Sequence, residues 1–319
     1  MKHRLSLRHI VAAAEAIDSV FRDTPQYEAE TLQEQLGCRL VVKVETLNPI
    51  RSFKARGAQF LLSQMSGSPH LVCATAGNFG QGMAYAARKR GWPITTFVGA
   101  HANPMKVARM RGLGATVREG SDDPDELHAE AEAFAGKNGF QLVQDGREAA
   151  IAEGAGTIAV ELLRWPRCFD AIVVPLGDGA LLGGMARWVK AQCPTTRMIG
   201  VCATASPAME RSWRSKKVVS APCDATIAAG ITVGTPFEEA VTDLTGSIDD
   251  ILLVPDSSLL TAMRLAHKEL GLVLEPAGAA GLAAVMDHRD QFRGRLVATV
   301  LTGGNVSPSN LTEWFAPVA

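Results

Sequence analysis

Short apolar runs rich in β-branched residues alternate with helical patterns along almost the whole chain. Nine such runs predict strands, at 40–45, 71–75, 94–99, 115–120, 140–145, 170–175, 197–203, 250–255 and 295–303. Alternation repeated this often predicts an α/β fold with mainly parallel sheets. Nine strands suit two such units better than one, and no linker rich in Pro, Gly or Ser divides them. We therefore expect two units that share a cleft, with a chain that crosses between them more than once.

Three helices can be located from the same pattern. Residues 7–21 carry apolar side chains at helical spacing, and Ser6 is the predicted N-cap. The segment 78–91 ends in three basic residues and then Gly91, which places positive charge at the negative end of the helix dipole before a glycine stop. Another helix is predicted to begin at Ser257.

The composition excludes several classes of protein. Hydrophobic residues make up 47% of the chain and charged residues 20%, which is typical of a globular protein and not of a disordered one. Lys and Arg total 32 against 33 for Asp and Glu, so the chain lacks the basic surplus of a nucleic-acid binder. No apolar run approaches ~18 residues, and none follows the basic N-terminus, so we expect neither a membrane span nor a secretory signal.

The six cysteines form no C-x-x-C pair, and several lie in apolar stretches. They predict buried, reduced thiols in a cytoplasmic protein. The seven histidines show no H-x-x-x-H spacing, so no metal site is predicted.

Small-residue turns follow several of the predicted strands, where ligands bind in open α/β sheets. They read TAGNFGQ after 71–75, PLGDGALLGG after 170–175 and TGGN near 302, with EPAGAAG at 275–281. Gly177 and Gly179 lie between a strand and a helix, so backbone N–H groups can converge there with the positive helix end. The spacing disfavours a dinucleotide and favours a phosphate monoester, although a tight turn with glycines for packing would give the same pattern.

Lys54 lies in NPIRSFKARGA, between a Pro-bearing turn and a helix start. It is either a solvated residue of a first helical turn or a lysine that forms a Schiff base. In the second case, desolvation and the nearby cations Arg51 and Arg56 are expected to lower its pKa and free the amine.

Together these segments resemble the fold-type II pyridoxal 5′-phosphate (PLP) enzymes, in the group of the serine/threonine dehydratases and serine racemases. The resemblance covers nearly the whole chain in order, from NPIRSFKARGA through TAGNFGQ, GAGTIAVELL, PLGDGALLGG, TIAAGI and EPAGAAG to TGGN. It implies a tryptophan synthase beta-like fold, with two open, twisted, mainly parallel sheets flanked by helices. It also implies a large PLP-binding domain (1–69 plus 148–319), a small substrate-loop domain (70–147) and a homodimer.

The resemblance implies a role for each motif residue. Lys54 is the catalytic lysine that holds the cofactor and moves the Cα proton. The substrate carboxylate is held by the loop formed by Thr75, Ala76, Gly77, Asn78 and Phe79. The cofactor contacts Phe53, Asn78, the phosphate loop of Gly177, Asp178, Gly179, Ala180 and Leu181, and also Gly230 and Thr302.

Two further residues keep alternative interpretations. Glu275 lies near the cofactor ring in relatives, but it could equally hold the strand-helix corner. Arg51 replaces a frequent glycine, and it either contacts an anionic substrate side chain or is a surface residue.

The implied activity is β-elimination of a 3-hydroxy amino acid to a 2-keto acid and ammonia. Ala76 replaces the serine that racemases of this group carry, which disfavours racemisation. Asp178 replaces a frequent glycine, and we expect its side chain to point outward because a carboxylate beside a phosphate is repulsive. Two alternatives stay open: elimination or replacement of another leaving group, as in cysteine synthase or threonine synthase relatives, and a PLP-binding protein with little catalysis.

Overall fold

The computed structural model describes residues 3–223 and 226–316, which form two β-sheets with helices around them. The strands are β1 (Gln26–Glu28), β2 (Arg39–Val44), β3 (Leu71–Ala74), β4 (Ile94–Gly99), β5 (Thr116–Gly120), β6 (Gln141–Leu142), β7 (Ala171–Pro175), β8 (Arg197–Ala203), β9 (Asp250–Val254) and β10 (Leu296–Leu301).

The α-helices are α1 (Leu7–Ala16), α2 (Gln33–Leu36), α3 (Ala55–Gln64), α4 (Asn78–Arg90), α5 (Pro104–Gly112), α6 (Pro124–Asn138), α7 (Ala149–Leu162), α8 (Ala180–Gln192), α9 (Ala208–Ser215), α10 (Glu238–Leu244), α11 (Asp256–Leu270), α12 (Pro276–Asp287), α13 (Arg289–Phe292) and α14 (Pro308–Trp314). Short 3₁₀ turns cover Ser19–Phe21, Glu30–Leu32 and Ala229–Ile231.

The larger sheet has the strand order β1-β2-β10-β7-β8-β9. Every pairing in it is parallel except that of β1 with β2. The central strand β10 is buried at all of its positions, because helices cover both faces of the sheet. Residues on alternate positions of β7 therefore join different cores: Val173 packs with α11 and α12, whereas Ile172 packs with α7 and α8.

The smaller sheet has the order β5-β4-β3-β6 and is entirely parallel. Its strands all come from residues 71–142, so the chain leaves the larger sheet after β2 and returns to it with β7. The predicted α/β class with two mainly parallel sheets is confirmed. We keep the domain boundaries after residues 69 and 147 as a proposal that this division of strands supports.

Helix α12 lies directly on the larger sheet because its sequence, PAGAAGLAAV, is composed mostly of small residues. A Cβ at Gly281 would lie only 2.0 Å from Thr299 Oγ1 and 3.0 Å from Val173 O, so glycine is needed for this approach. The helix begins at Pro276, directly after Glu275, and thereby brings Glu275 to the end of β10.

A fully buried ionic network ties β2, α3 and α7 together beside the cleft. The Arg56 guanidinium, at 0% exposure, donates to Glu45 and to Glu161, with Nη1 to Glu161 Oε1 at 2.6 Å. Lys43 Nζ donates to the other oxygen of Glu161, at 2.6 Å. Buried charges need such partners, and the network accounts for the buried position of Arg56 in the first turn of α3.

All nine predicted strands are present, to within a few residues at their ends, although the prediction missed the short strand β1. Ser6 caps α1 as predicted, since its Oγ accepts from His9 N–H, but this helix ends at Ala16 and a 3₁₀ turn follows. The prediction that all cysteines are reduced is wrong: Cys168 and Cys193 form a disulfide. These residues are 25 positions apart, and only the packing of α8 against β7 brings them together.

Within residues 3–223 and 226–316, none of the helices combines the length and apolar character needed to cross a membrane.

Candidate active site

A cavity of about 720 Å³ opens where strands of both sheets end. Its walls come from the segments that follow β3, β4 and β10, together with Lys54 and the start of α6. The carboxyl ends of parallel strands are the usual place for a ligand in such a fold. Among the predicted site residues, the cavity wall contains Phe53, Lys54, Thr75, Ala76, Gly77, Asn78, Phe79, Asp178, Gly230 and Thr302.

Lys54 is held at the cavity by backbone contacts with the end of β10. Phe53 N–H donates to the Thr302 carbonyl at 3.2 Å, and Ser52 forms an isolated bridge with Gly303. Lys54 itself is the N-cap residue of α3, which agrees with its predicted position at a helix start. Its Nζ lies 5.0 Å from the centre of the Phe53 ring, so the ring forms part of the wall beside the amine.

The charged neighbours of Lys54 differ from those expected. Its Nζ donates to Asp145 Oδ2, while Arg56 is engaged in the buried network and Arg51 is exposed. Burial alone would lower the pKa of Lys54, but the carboxylates of Asp145 and Asp178 outweigh it and hold the pKa above its ordinary value. The prediction of a lowered pKa is therefore wrong, because two carboxylates and not two cations face the amine.

The orientation of Asp178 also differs from the prediction. Asp178 is part of the cavity wall, and its side chain does not point outward. Burial and the neighbouring Asp145 raise the pKa of Asp178 to about 7, although Lys54 opposes this shift. Asp178 packs over Gly146, whose Cβ, if present, would lie 2.4 Å from the Asp178 carbonyl oxygen. Gly146 has φ of 82°, so glycine permits both the turn and the close approach.

The loop after β3 is shaped by the Thr75 hydroxyl. Its Oγ1 accepts from Gly77 N–H at 2.8 Å and from Gly80 N–H at 3.0 Å. Asn78 and Phe79 then begin α4, where backbone N–H groups have no partner inside the helix and can bind an anion. Ala76, between Thr75 and the start of α4 in the chain, is exposed and lines the cavity. The loop can therefore bind a carboxylate through its main chain.

Asn78 is oriented by a hydrogen-bonded cluster that the sequence only partly indicated. Its Nδ2 donates to Glu275 Oε1, and its Oδ1 accepts from Asn305 Nδ2 at 2.9 Å. The other carboxylate oxygen of Glu275 accepts from Lys106 Nζ at 2.8 Å. Glu275 was expected either near the ring of the cofactor or at the strand-helix corner. It lies at the corner, directly before α12, and also lines the cavity.

Asp145, Lys106 and Asn305 are cavity residues that the sequence analysis missed. Asp145 is the last residue of the predicted strand 140–145, and its position at that strand end was the available signal. Lys106 passes over Gly77, where a Cβ would lie 2.4 Å from the lysine Cδ. Gly77 has φ of 134°, so only glycine suits this point of the loop.

The rest of the predicted phosphate loop lies behind Asp178. Gly179 is the N-cap of α8, and Ala180 and Leu181 form its first turn, each 5% exposed. Because the N-cap glycine has no side chain, it offers no acceptor to the first N–H groups of α8. Gly177 lies against the backbone of Gly230 and Ile231, where a Cβ would be 3.0 Å from Ile231 Cα.

This arrangement fits PLP. The partly buried amine of Lys54, the Thr302 hydroxyl and Asp178 line one cavity, and the uncapped start of helix α8 follows directly after Asp178. Thr302 Oγ1 lies 3.5 Å from the Ala277 carbonyl, and Gly230 lies nearby, where a Cβ would be 2.9 Å from Ala277 Cβ.

The described cavity wall does not include Arg51, so the alternative of a surface residue describes it better than a contact with substrate.

Comparisons with known proteins agree with the geometry. An L-threo-3-hydroxyaspartate ammonia-lyase from Pseudomonas sp. is 32% identical over 304 residues, which are 94% of this chain and 95% of that protein. An L-threonine ammonia-lyase from Thermotoga maritima is 30% identical over 95% of this chain and 76% of its own length. The crystal structure of a threonine deaminase from T.th. is 32% identical and superposes with a TM-score of 0.88 over 95% of this chain and 99% of that one. Residues 17–303 match the family described as pyridoxal-phosphate dependent enzyme, and the chain therefore belongs to that family.

Proposed function

We propose that this protein is a PLP-dependent ammonia-lyase that eliminates the β-hydroxyl group of a 3-hydroxy amino acid and releases a 2-keto acid and ammonia. The observation that carries the proposal is the partly buried amine of Lys54, which faces the same cavity as the start of α4, where free N–H groups can bind an anion. The ammonia-lyase class expected from the sequence is confirmed by the curated relatives, which are ammonia-lyases and threonine dehydratases.

Residues of five segments would hold the cofactor. Lys54 would bind its aldehyde, the first turn of α8 with residues 177–179 would bind its phosphate, and Asn78, Gly230, Thr302 and Phe53 would surround the ring. When bound, PLP withdraws electrons from the substrate Cα and so weakens the Cα–H bond.

The protein must then bind, orient and deprotonate the substrate. The N–H groups of the 75–79 loop would hold the α-carboxylate and thereby direct the Cα–H bond towards Lys54. Lys54 Nζ is the base that takes this proton, and Asp145 stabilises the protonated amine that results.

Two neutral side chains favour elimination over competing reactions. Thr302 would offer the cofactor a neutral hydroxyl and not a carboxylate, and a hydroxyl cannot strongly protonate the pyridine nitrogen, which favours prompt elimination over transamination. Ala76 exposes a methyl group to the cavity, and a methyl group cannot return a proton to Cα from the opposite face. These residues support a lyase over a transaminase or a racemase.

The proposal is tested by assaying keto acid and ammonia release from a panel of 3-hydroxy amino acids with the wild type and Lys54→Ala. We expect the variant to lose turnover by about three orders of magnitude or more, because it lacks both the nucleophile and the base. Lys268→Ala is the matched control, since this lysine side chain is 80% exposed. Near-normal turnover by Lys54→Ala would overturn the proposed mechanism.

A homodimer and a cytoplasmic location complete the proposal. The homodimer rests on the resemblance to the family. The location is supported by the buried free thiols of Cys38, Cys73 and Cys202, whereas the Cys168–Cys193 disulfide argues against it because disulfides are rare in cytoplasmic proteins. Size-exclusion chromatography with light scattering of the holoenzyme measures the oligomeric state, and an elution as a monomer would contradict a homodimer.

A further inference from the structure

Helix α5 carries two cations that reach from the smaller sheet to the larger one. Lys106 and Arg109 are three residues apart and so lie on one side of this helix. The Lys106 ammonium donates to Glu275 Oε2 at 2.8 Å, and the Arg109 guanidinium donates to Asn305 Oδ1. Glu275 directly precedes α12, and Asn305 follows the central strand β10, so both acceptors belong to the larger sheet and its helices.

The local structure of α5 does not explain a lysine at position 106. Lys106 lies in the first turn of the helix, where the helix dipole disfavours a positive charge, and its side chain is only 9% exposed. A buried cation needs a compensating anion, which the equally buried Glu275 supplies. The purpose of this costly pair is indicated by the other contacts that its two members make.

The hydrogen bonds that lead to Glu275 form a chain in which each bond has one possible direction. The Ile50 carbonyl can only accept, so Asn305 Nδ2 donates to it at 2.8 Å and uses its other hydrogen for Asn78 Oδ1 at 2.9 Å. The amide of Asn78 is thereby oriented, and its Nδ2 donates to Glu275 Oε1. Because this nitrogen carries two hydrogens, Asn78 remains able to donate to a ligand in the cavity that it lines.

The aliphatic stem of Lys106 makes a separate contact with the loop after β3. A Cβ on Gly77 would lie 3.0 Å from Lys106 Cβ and 3.2 Å from its Cγ, so the stem covers this glycine closely. Gly77 belongs to the loop that is proposed to bind the substrate carboxylate. One side chain therefore contacts this loop through its methylene groups and, through Glu275, orients the amide that is proposed to face the cofactor ring.

We propose that Lys106 is a positioning residue with two separable parts. Its ammonium fixes Glu275 and thereby the donor orientation of Asn78, and its stem fixes the backbone of Gly77. The inference rests on the proposed function and adds to it a residue that acts through its neighbours.

The first experiment separates the two parts of the side chain. Lys106→Met removes the ammonium but keeps an apolar stem over Gly77, whereas Lys106→Ala removes both. In Lys106→Met, Glu275 is left buried without its cation and is expected to move towards water, so Asn78 loses its acceptor. We expect kcat to fall by about 10- to 100-fold and KM to stay within about 3-fold, because a catalytic contact displaced by about 1 Å costs about 100-fold in rate.

Lys106→Ala should also raise KM by about 10-fold, because the carboxylate loop is no longer covered. Lys137→Met is the matched control, since this lysine is exposed on α6 in the same part of the chain.

Two further measurements do not depend on turnover. The visible absorbance of the holoenzyme reports the hydrogen bonds made to the cofactor ring. Titration with L-2-aminobutyrate, which lacks the hydroxyl leaving group, gives a dissociation constant from the same absorbance. Lys106→Met should shift the absorbance of the unliganded holoenzyme and leave the constant within about 3-fold, whereas Lys106→Ala should change both. If no hydroxy amino acid is turned over, the proposed function fails alone, and these two measurements still decide the inference.

The double variant Lys106→Met/Glu275→Gln tests whether the lysine acts through Glu275. A glutamine can still accept from Asn78 and leaves no buried charge, so we expect the absorbance to return towards that of the wild type and kcat to rise about 10-fold above Lys106→Met. Should Lys106→Met fail to fold, recovery of folding and of the absorbance in the double variant supports the same conclusion. A double variant no better than Lys106→Met, or a Lys106→Met variant with the absorbance and kcat of Lys137→Met, would overturn the inference and leave the lyase activity standing.

Discussion

Helix α4 packs so closely behind Lys54 that a single methyl group at Gly82 should displace the lysine. A Cβ built on Gly82 lies 2.9 Å from the Lys54 carbonyl carbon and 3.0 Å from both Lys54 O and Ala55 N. Ordinary contacts between carbon atoms are about 3.5–4.0 Å, so the backbone of Lys54 must move by about 0.5–1 Å in Gly82→Ala. All three atoms belong to the main chain and cannot rotate away.

The expected effect on activity exceeds the effect on stability. Overpacking costs about 1–3 kcal/mol, whereas alanine gains about 1 kcal/mol over glycine inside a helix, which leaves a net loss of about 0–2 kcal/mol in the free energy of unfolding. A displacement of about 1 Å in a catalytic group can reduce turnover by about 100-fold. We therefore expect Gly82→Ala to fold and to lose about 10- to 100-fold in kcat.

Urea unfolding and the keto-acid assay measure the two quantities. Gly112→Ala is the matched control, since this glycine ends α5 and a Cβ there meets nothing within 4 Å. If Gly82→Ala were as active as Gly112→Ala, the packing of α4 against Lys54 would not position the amine, and the reasoning would be refuted.

Two further predictions concern stability. Glu161→Gln should lower the free energy of unfolding by about 3–5 kcal/mol, because it leaves Arg56 and Lys43 buried without their shared carboxylate. Although burial opposes it, Arg56 lowers the pKa of Glu161 to about 2, so this contribution is present above pH 4.5 and is lost as the pH falls towards 2. Urea unfolding at several pH values checks this, and equal losses in Glu161→Gln and in the exposed Glu132→Gln would contradict it. For Asp178 the pH dependence of stability has the opposite sign, because its pKa of about 7 in the folded protein lies above the ordinary 3.8. As the pH rises from about 4 to 7, the apoprotein should therefore lose stability relative to Asp178→Asn. A difference in the free energy of unfolding that stays constant over this range would contradict the assignment.

The strands, the helix starts and the turns at strand ends were predictable because they depend on local apolar spacing and on glycine in particular turns. Lys54, the 75–79 loop and Thr302 lie on one cavity because parallel strands carry their carboxyl ends to one edge. The roles proposed for these residues come from the resemblance to a known family, because local pattern alone left them open.

What the tertiary structure decided is the electrostatic surroundings of the site. Asp145 lies 91 positions from Lys54 in the chain, and only the approach of the two sheets makes it the partner of the amine. The same folding takes Arg56 into a separate buried network and turns Asp178 inward. A prediction based on the sequence neighbours of Lys54 therefore gave the wrong direction for its pKa. Electrostatic energy depends on distances through space, and these are set by how the sheets pack and not by order along the chain.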